Sequence, residues 1–213
     1  MLQIKVLLPL VLLLFTVSIR SQDKIIKLPE PQKEIGKPLM QALSLRQSTR
    51  TFSTEALSMQ DMSNLLWAAF GINRSESGKR TAPSAMNWQE IDIYAVTAEG
   101  TFLYNAKDHS LLKVSNEDLR PLAGKQDFVK VAPLNLVYVS DMSKTGNSSS
   151  DDRLMYTSAD CGFIAQNVYL YCASEGLAVV VRGMVDREAL SKKLNLKPEQ
   201  KIILSQTVGY MKK

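Results

Sequence analysis

Histidine and cysteine are scarce in this chain, and most metal and redox-thiol chemistry is excluded with them. His109 is the only histidine, and Cys161 and Cys172 are the only cysteines, with no Cys-x-x-Cys pair. No zinc-binding pattern can be assembled from that set. Both cysteines fall in one predicted helix, where their separation amounts to about 16 Å of rise, too far for a disulfide. They read as buried apolar thiols. The sequence also lacks a Gly-x-Gly-x-x-Gly or Walker-type loop, so a dedicated dinucleotide-binding domain is not expected. Lys and Arg are scattered among carboxylates rather than clustered, which leaves no footprint for nucleic acid. No internal repeat is visible.

What is present is an apolar fraction of 45% over 213 residues, enough for one domain with a real core. The first residues stand apart from it. Lys5 precedes a Leu- and Val-rich run from Val6 to Val17, and Arg20-Ser21-Gln22-Asp23 follows. A charged start and an apolar run short for a bilayer span predict an export signal over residues 1–21, cut at Ser21|Gln22. The protein is then periplasmic or secreted; an uncleaved leader would instead anchor it to a membrane. No cysteine follows the run, which argues against a lipoprotein anchor. Loss of Lys5 and Arg20 takes the formal net charge from +5 to +3, a weak lean toward an anionic ligand.

Residues 22–37 carry Pro29 and Pro31 among charges and predict an extended tether or an arm lying on a neighbouring molecule; the domain proper is 38–213. A short helix from Pro38 to Leu45 opens it. Ser58 caps a second helix whose Met62, Leu65, Leu66 and Ala69 follow a 3.6-residue period up to Gly71. Strands are predicted at Ile91–Thr97, Thr101–Tyr104, Leu134–Ser140, Leu177–Val181 and Ile202–Val208. Helices are predicted around Glu117–Ala123, over Leu154–Ser174 with Gly176 as its stop, and after the N-cap Asp186. His109 is expected at a hairpin surface, and Asp141–Asp152 as a loop. The elements interleave without an even βαβ rhythm. They predict a three-layer α+β fold, a mainly antiparallel central sheet flanked by helices.

Two short segments carry the chemistry. Arg46-Gln47-Ser48-Thr49-Arg50 packs two guanidinium groups and two hydroxyls into five residues, a composition suited to a phosphate. Ala82-Pro83-Ser84-Ala85-Met86-Asn87-Trp88-Gln89 is a turn in which Asn87 and Gln89 would point the same way on extended backbone, their amides able to read the edge of a flat ring.

The order of these segments resembles the nitroreductase-like FMN flavoproteins, and within them the SagB-type dehydrogenase branch, over roughly Leu39 to the C-terminus. The Arg-x-Ser-x-Arg segment, the Pro-Ser-x-x-Asn-x-Gln segment, the stretch from Gln166-Asn167 through Glu175-Gly176-Leu177 to Val181-Arg182-Gly183, and the ending Val208-Gly209-Tyr210 all carry the likeness. The resemblance implies a nitroreductase-like fold and FMN as cofactor. It implies Arg46 and Ser48, with Gln47 between them, at the phosphate, and Arg50 toward the ribityl chain and the N1/O2 edge. Asn87 would meet the pyrimidine edge, with Ser84 shaping the pocket. The backbone of Arg182 and Gly183 would face N5, and a late basic residue, Lys212 or Lys213, would join the phosphate. Met211 stands where relatives often carry proline. The long helix would lie at a homodimer interface.

The implied activity is FMN-dependent hydride transfer by a ping-pong mechanism, with NAD(P)H or another organic donor and an unspecified small-molecule substrate. No catalytic side chain is assigned, because the isoalloxazine itself accepts the hydride. The alternatives are an exported module that binds a flavin or heterocycle without turnover, and a membrane-tethered interaction domain with an empty site.

Overall fold

The strand Leu134–Asp141 (β7) is the axis of the molecule, buried along almost its whole length because an apolar or small residue occupies nearly every position on both faces. The computed structural model describes residues 25–213; the predicted leader at 1–21 lies outside them. Around β7 runs a seven-stranded antiparallel sheet in the order β1-β6-β5-β4-β7-β9-β8. The other strands are Ile25–Lys27 (β1), Ile91–Thr97 (β4), Gly100–Asn105 (β5), Ser110–Ser115 (β6), Leu177–Arg182 (β8) and Gln200–Tyr210 (β9). A separate small ribbon joins Ile72–Arg74 (β2) to Lys79–Arg80 (β3).

Alternation along the strands divides the core. Leu134, Leu136 and Tyr138 of β7, with Ile91, Ile93 and Ala95 of β4, face Met59–Phe70 (α2) and Ser150–Glu175 (α3). Val137 and Val139, with Tyr94 and Val96, face Arg187–Lys193 (α4) through Leu190 and Leu194. The result is helix, sheet, helix: the expected three layers. Leu65 and Leu66 of α2 are wholly buried, worth roughly 1.5–3 kcal/mol each.

The caps explain the boundaries. Ser58, Ser149 and Asp186 each accept the backbone N–H three residues on, which satisfies an otherwise orphan donor. Ser149 starts α3 four residues before the predicted Leu154, and Gly176 closes it in left-handed backbone at φ 73°. The helix expected at Glu117–Ala123 is only a 3-10 turn, Arg120–Leu122, since Pro121 removes a donor inside it. Strand β6 was not predicted. The arm predicted over 22–37 lies on its own chain from Ile25 onward: β1 pairs with β6, Gln32 N donates to Asn64 Oδ1, and Lys37 N donates to Ser174 Oγ. Among the described residues no helix is long and apolar enough to cross a membrane, and no cluster of His, Cys, Asp and Glu could hold a metal ion.

Candidate functional site

Strand β8 ends the sheet, so one of its edges has no strand beside it. The Arg46–Arg50 segment fills that place, delivered there by the short helix Leu39–Leu45 (α1). Thr49 N donates to Val179 O at 2.8 Å, and Val181 N donates to the Tyr169 hydroxyl at 3.0 Å. That hydroxyl lies 2.8 Å from Ser48 Oγ, and the Arg46 guanidinium sits 5.4 Å from the centre of the Tyr169 ring, a cation–π contact. Phe52 then bridges Met211 and Ser53 N donates to Tyr210 O, which draws the C-terminus alongside Arg50. Arg46, Arg50, Lys212 and Lys213 thus share one region, and none of them forms an ion pair among the described residues. Gln47 lines a cavity of about 170 Å³ with Lys37, Cys172, Val179 and Met211.

The Ser84–Gln89 turn departs from extended backbone. Met86, Asn87 and Gln89 have φ of 47°, 58° and 50°, a conformation that costs a residue with a Cβ about 1–2 kcal/mol. Ser84 holds it: its carbonyl accepts from Asn87 N and its Oγ accepts from Gln89 N, both at 3.0 Å. The two amides meet each other across this turn rather than standing in parallel on extended backbone. Gln89 turns inward, where Oε1 accepts from Arg80 Nε at 2.8 Å and Nε2 donates to Gly78 O at 3.2 Å and Asn87 Oδ1 at 3.1 Å. Asn87 stays exposed, and its Nδ2 makes no hydrogen bond among the described residues. Ala85 N donates to Asp160 Oδ2 of α3 at 2.8 Å. Asp160 and Tyr169 are nine residues apart on α3, about 14 Å along its axis. One ligand touching both groups must therefore be extended.

Arg182 is expected to meet a ligand through its backbone alone, and the rest of the residue is committed elsewhere. Its side chain is on the α4 side of the sheet, 6% exposed, where Nη1 donates to Ala123 O and Nη2 is shared among Asn135 Oδ1, Ser205 Oγ and Thr207 Oγ1. Burial without a carboxylate partner lowers its pKa to about 10. Strand alternation sends Arg182 to the face opposite Val181, so this guanidinium braces the sheet and only its backbone can meet a ligand. Gly183 follows with open space around it: an added Cβ would meet only Leu204 Cδ2, at 4.0 Å. Nothing within the chain requires glycine here, and the room suits the close approach of a ligand.

Two features escaped sequence reasoning. His109 is bound rather than a free surface residue. Ser63 Oγ donates to Pro29 O at 2.6 Å, so His109 Nε2 donates to Ser63 Oγ at 2.7 Å and Nδ1 accepts from the Tyr104 hydroxyl at 3.0 Å. Burial lowers its pKa and keeps it neutral. Glu90 is fully buried beside Asp160, and burial pushes its carboxyl up to about 7. No spacing in the sequence marks these carboxyls as a pair, because they come from a strand and a distant helix.

An α+β domain carries at one sheet edge a cationic segment that makes no ion pair among the described residues, a chemistry suited to an anion. Residues 43–210 match the model of the nitroreductase family. The chain belongs to the nitroreductase family, an oxidoreductase family whose members typically use flavin. A Methanocaldococcus jannaschii protein named as a nitroreductase is 31% identical over 155 residues, 68% of this chain and 78% of that one. A solved structure from Ralstonia eutropha JMP134, also named as a nitroreductase, is 41% identical with a TM-score of 0.85, covering 91% of this chain and 92% of that one. The fold also matches a chain of the Escherichia coli microcin synthetase McbBCD complex, at 17% identity and TM-score 0.71 over 97% of this chain and 85% of that one.

Proposed function

We propose that the protein is an exported, homodimeric FMN-dependent oxidoreductase of the SagB-type dehydrogenase kind. The observation that carries this reading is the docking of Arg46–Arg50 on the open edge of β8, with Arg46, Arg50, Lys212 and Lys213 making no ion pair among the described residues. Arg46 and Ser48 would hold the phosphate, with Lys212 joining them from the C-terminal strand. Arg50 would lie toward the N1/O2 edge, where a cation stabilises negative charge on the reduced ring. Asn87 has a free amide donor for the pyrimidine edge, and Ser84 keeps the turn that presents it. The backbone from Val181 to Gly183 would face N5. Bound FMN supplies hydride acceptance at N5.

The pocket these residues outline is a surface. Met86, next to Asn87, is 74% exposed and Met184, next to Gly183, 58%, so a ligand ring against those positions would stay wet on one side. A second copy packed against α3 would exclude that water, which favours the homodimer. The ping-pong scheme follows from a single open ring face: the donor, NAD(P)H or another organic reductant, must leave before the acceptor binds.

Purified protein should be yellow, and mass analysis of the released ligand should give FMN. Anaerobic NADPH should bleach the visible band and an acceptor should restore it. A protein that holds FMN but is never reduced would be the binding module instead. Arg46→Ala combined with Ser48→Ala should release the flavin; retention at wild-type affinity would refute the site.

A further inference from the structure

Two carboxyl groups lie directly beneath the Ser84–Gln89 turn, and hydride transfer has no use for either. Glu90, wholly buried, accepts from Thr157 Oγ1 through Oε1 at 3.2 Å. Its Oε2 is sealed from solvent and has no donor among the described residues. Beside it lies the carboxyl of Asp160, which is itself buried. Two carboxyls in contact inside a protein do not both ionise, and one proton between them supplies the missing donor.

The surroundings offer no alternative. From α3, Asp160, Thr157 and Cys161 act on Glu90. From β7, Ser140 reaches Thr157 at 3.4 Å and Asp141 N donates to Glu90 O at 2.9 Å. Neither carboxyl forms an ion pair among the described residues. The other oxygen of this small network, Asp160 Oδ2, holds Ala85 N at the head of the turn with its three left-handed residues.

We propose that Glu90 and Asp160 share a single proton, and that this proton latches the Met86–Gln89 turn so that Asn87 is held ready for the ligand ring. Glu90 is a positioning residue. When the proton passes to solvent, the two carboxylates repel, Asp160 turns away from Ala85 N, and the strained turn relaxes. Burial raises the pKa of both groups, which brings that event to near-neutral pH. The assignment of Asn87 to a ring rests on the flavin reading; the latch itself does not.

The chain has two tryptophans, Trp67 and Trp88, so Trp67→Phe leaves the turn with its own fluorescent reporter. In apoprotein, Trp88 emission should titrate with a midpoint near neutrality. The transition should vanish when Glu90→Gln is added, since an amide donates to Asp160 at every pH. Asp160→Asn, which keeps an acceptor for Ala85 N and gives Glu90 a permanent donor, should abolish it too. The dissociation constant for FMN should rise about tenfold from pH 6 to pH 8.5, the effect of one lost hydrogen bond, and change less than twofold in Glu90→Gln. A flat Trp88 signal, or a transition that survives both substitutions, would overturn the latch. Failure to take up FMN at any pH would overturn the flavin reading and leave the Trp88 titration to judge the latch alone.

Discussion

Ser48 and Tyr169 are 121 residues apart in sequence and 2.8 Å apart between hydroxyl oxygens. The same phenol accepts from Val181 N, so one oxygen joins the arginine segment, the long helix and the edge strand. Tyr169→Phe removes all of that while keeping the ring under Arg46. The expected result is a loss of about 1–2 kcal/mol in stability and roughly tenfold weaker flavin binding. Thermal unfolding and a flavin fluorescence titration measure the two; no change in either would mean that Tyr169 is only packing.

Gly183 and Gly124 should respond oppositely to a side chain. Gly183→Val meets open space, so the fold should melt close to the wild-type temperature while flavin uptake falls at least tenfold. A Cβ at Gly124 would sit 1.7 Å from Arg182 Nη1, so Gly124→Ala should cost about 1–3 kcal/mol of stability. Melting curves with and without flavin separate the two effects.

Arg182→Met leaves Ala123 O and the hydroxyl oxygens of Ser205 and Thr207 short of a donor, while Asn135 Oδ1 keeps the one from Thr207 Oγ1. Urea unfolding should show a loss of about 2–4 kcal/mol. The folded fraction should bind flavin as before, because this side chain faces away from the arginine segment. Loss of flavin binding without loss of stability would reverse the assignment.

Stability should also depend on pH through Glu90. Its folded pKa, about 7, lies above the ordinary 4.5, so the native state keeps a proton that the unfolded chain has released. The contribution is complete below the ordinary value and is lost as pH rises through 7. The melting temperature of the wild type should therefore fall between pH 5 and pH 8 by a component missing from Glu90→Gln. Differential scanning calorimetry across that range is the check, and parallel curves for the two proteins would contradict it.

Sequence pattern carried most of the architecture, since α2 buries residues at a helical period and the apolar runs of β4 and β7 mark strands covered on both faces. Beyond that it failed for identifiable reasons. Pro121 cut short a helix that composition favoured, and β6 alternates too weakly to stand out from a loop. The site was legible where one segment holds the chemistry, as at Arg46–Arg50. It was not legible where the partner is distant: Tyr169 was one tyrosine among several on a packed helix, and Asp160 looked like an ordinary polar position. Strand parity decided Arg182, a matter of which face the side chain takes rather than of its charge.

The outer edge of β8 remains to be considered as a surface. An exposed strand edge invites pairing with other chains, and here Thr49 and Tyr169 occupy its amide and carbonyl groups. The loop that would grip the cofactor is therefore also the cover that keeps the sheet from growing. A change that unseats Arg46–Arg50 should cost solubility as well as colour, and supplying the flavin in excess during refolding should protect against both.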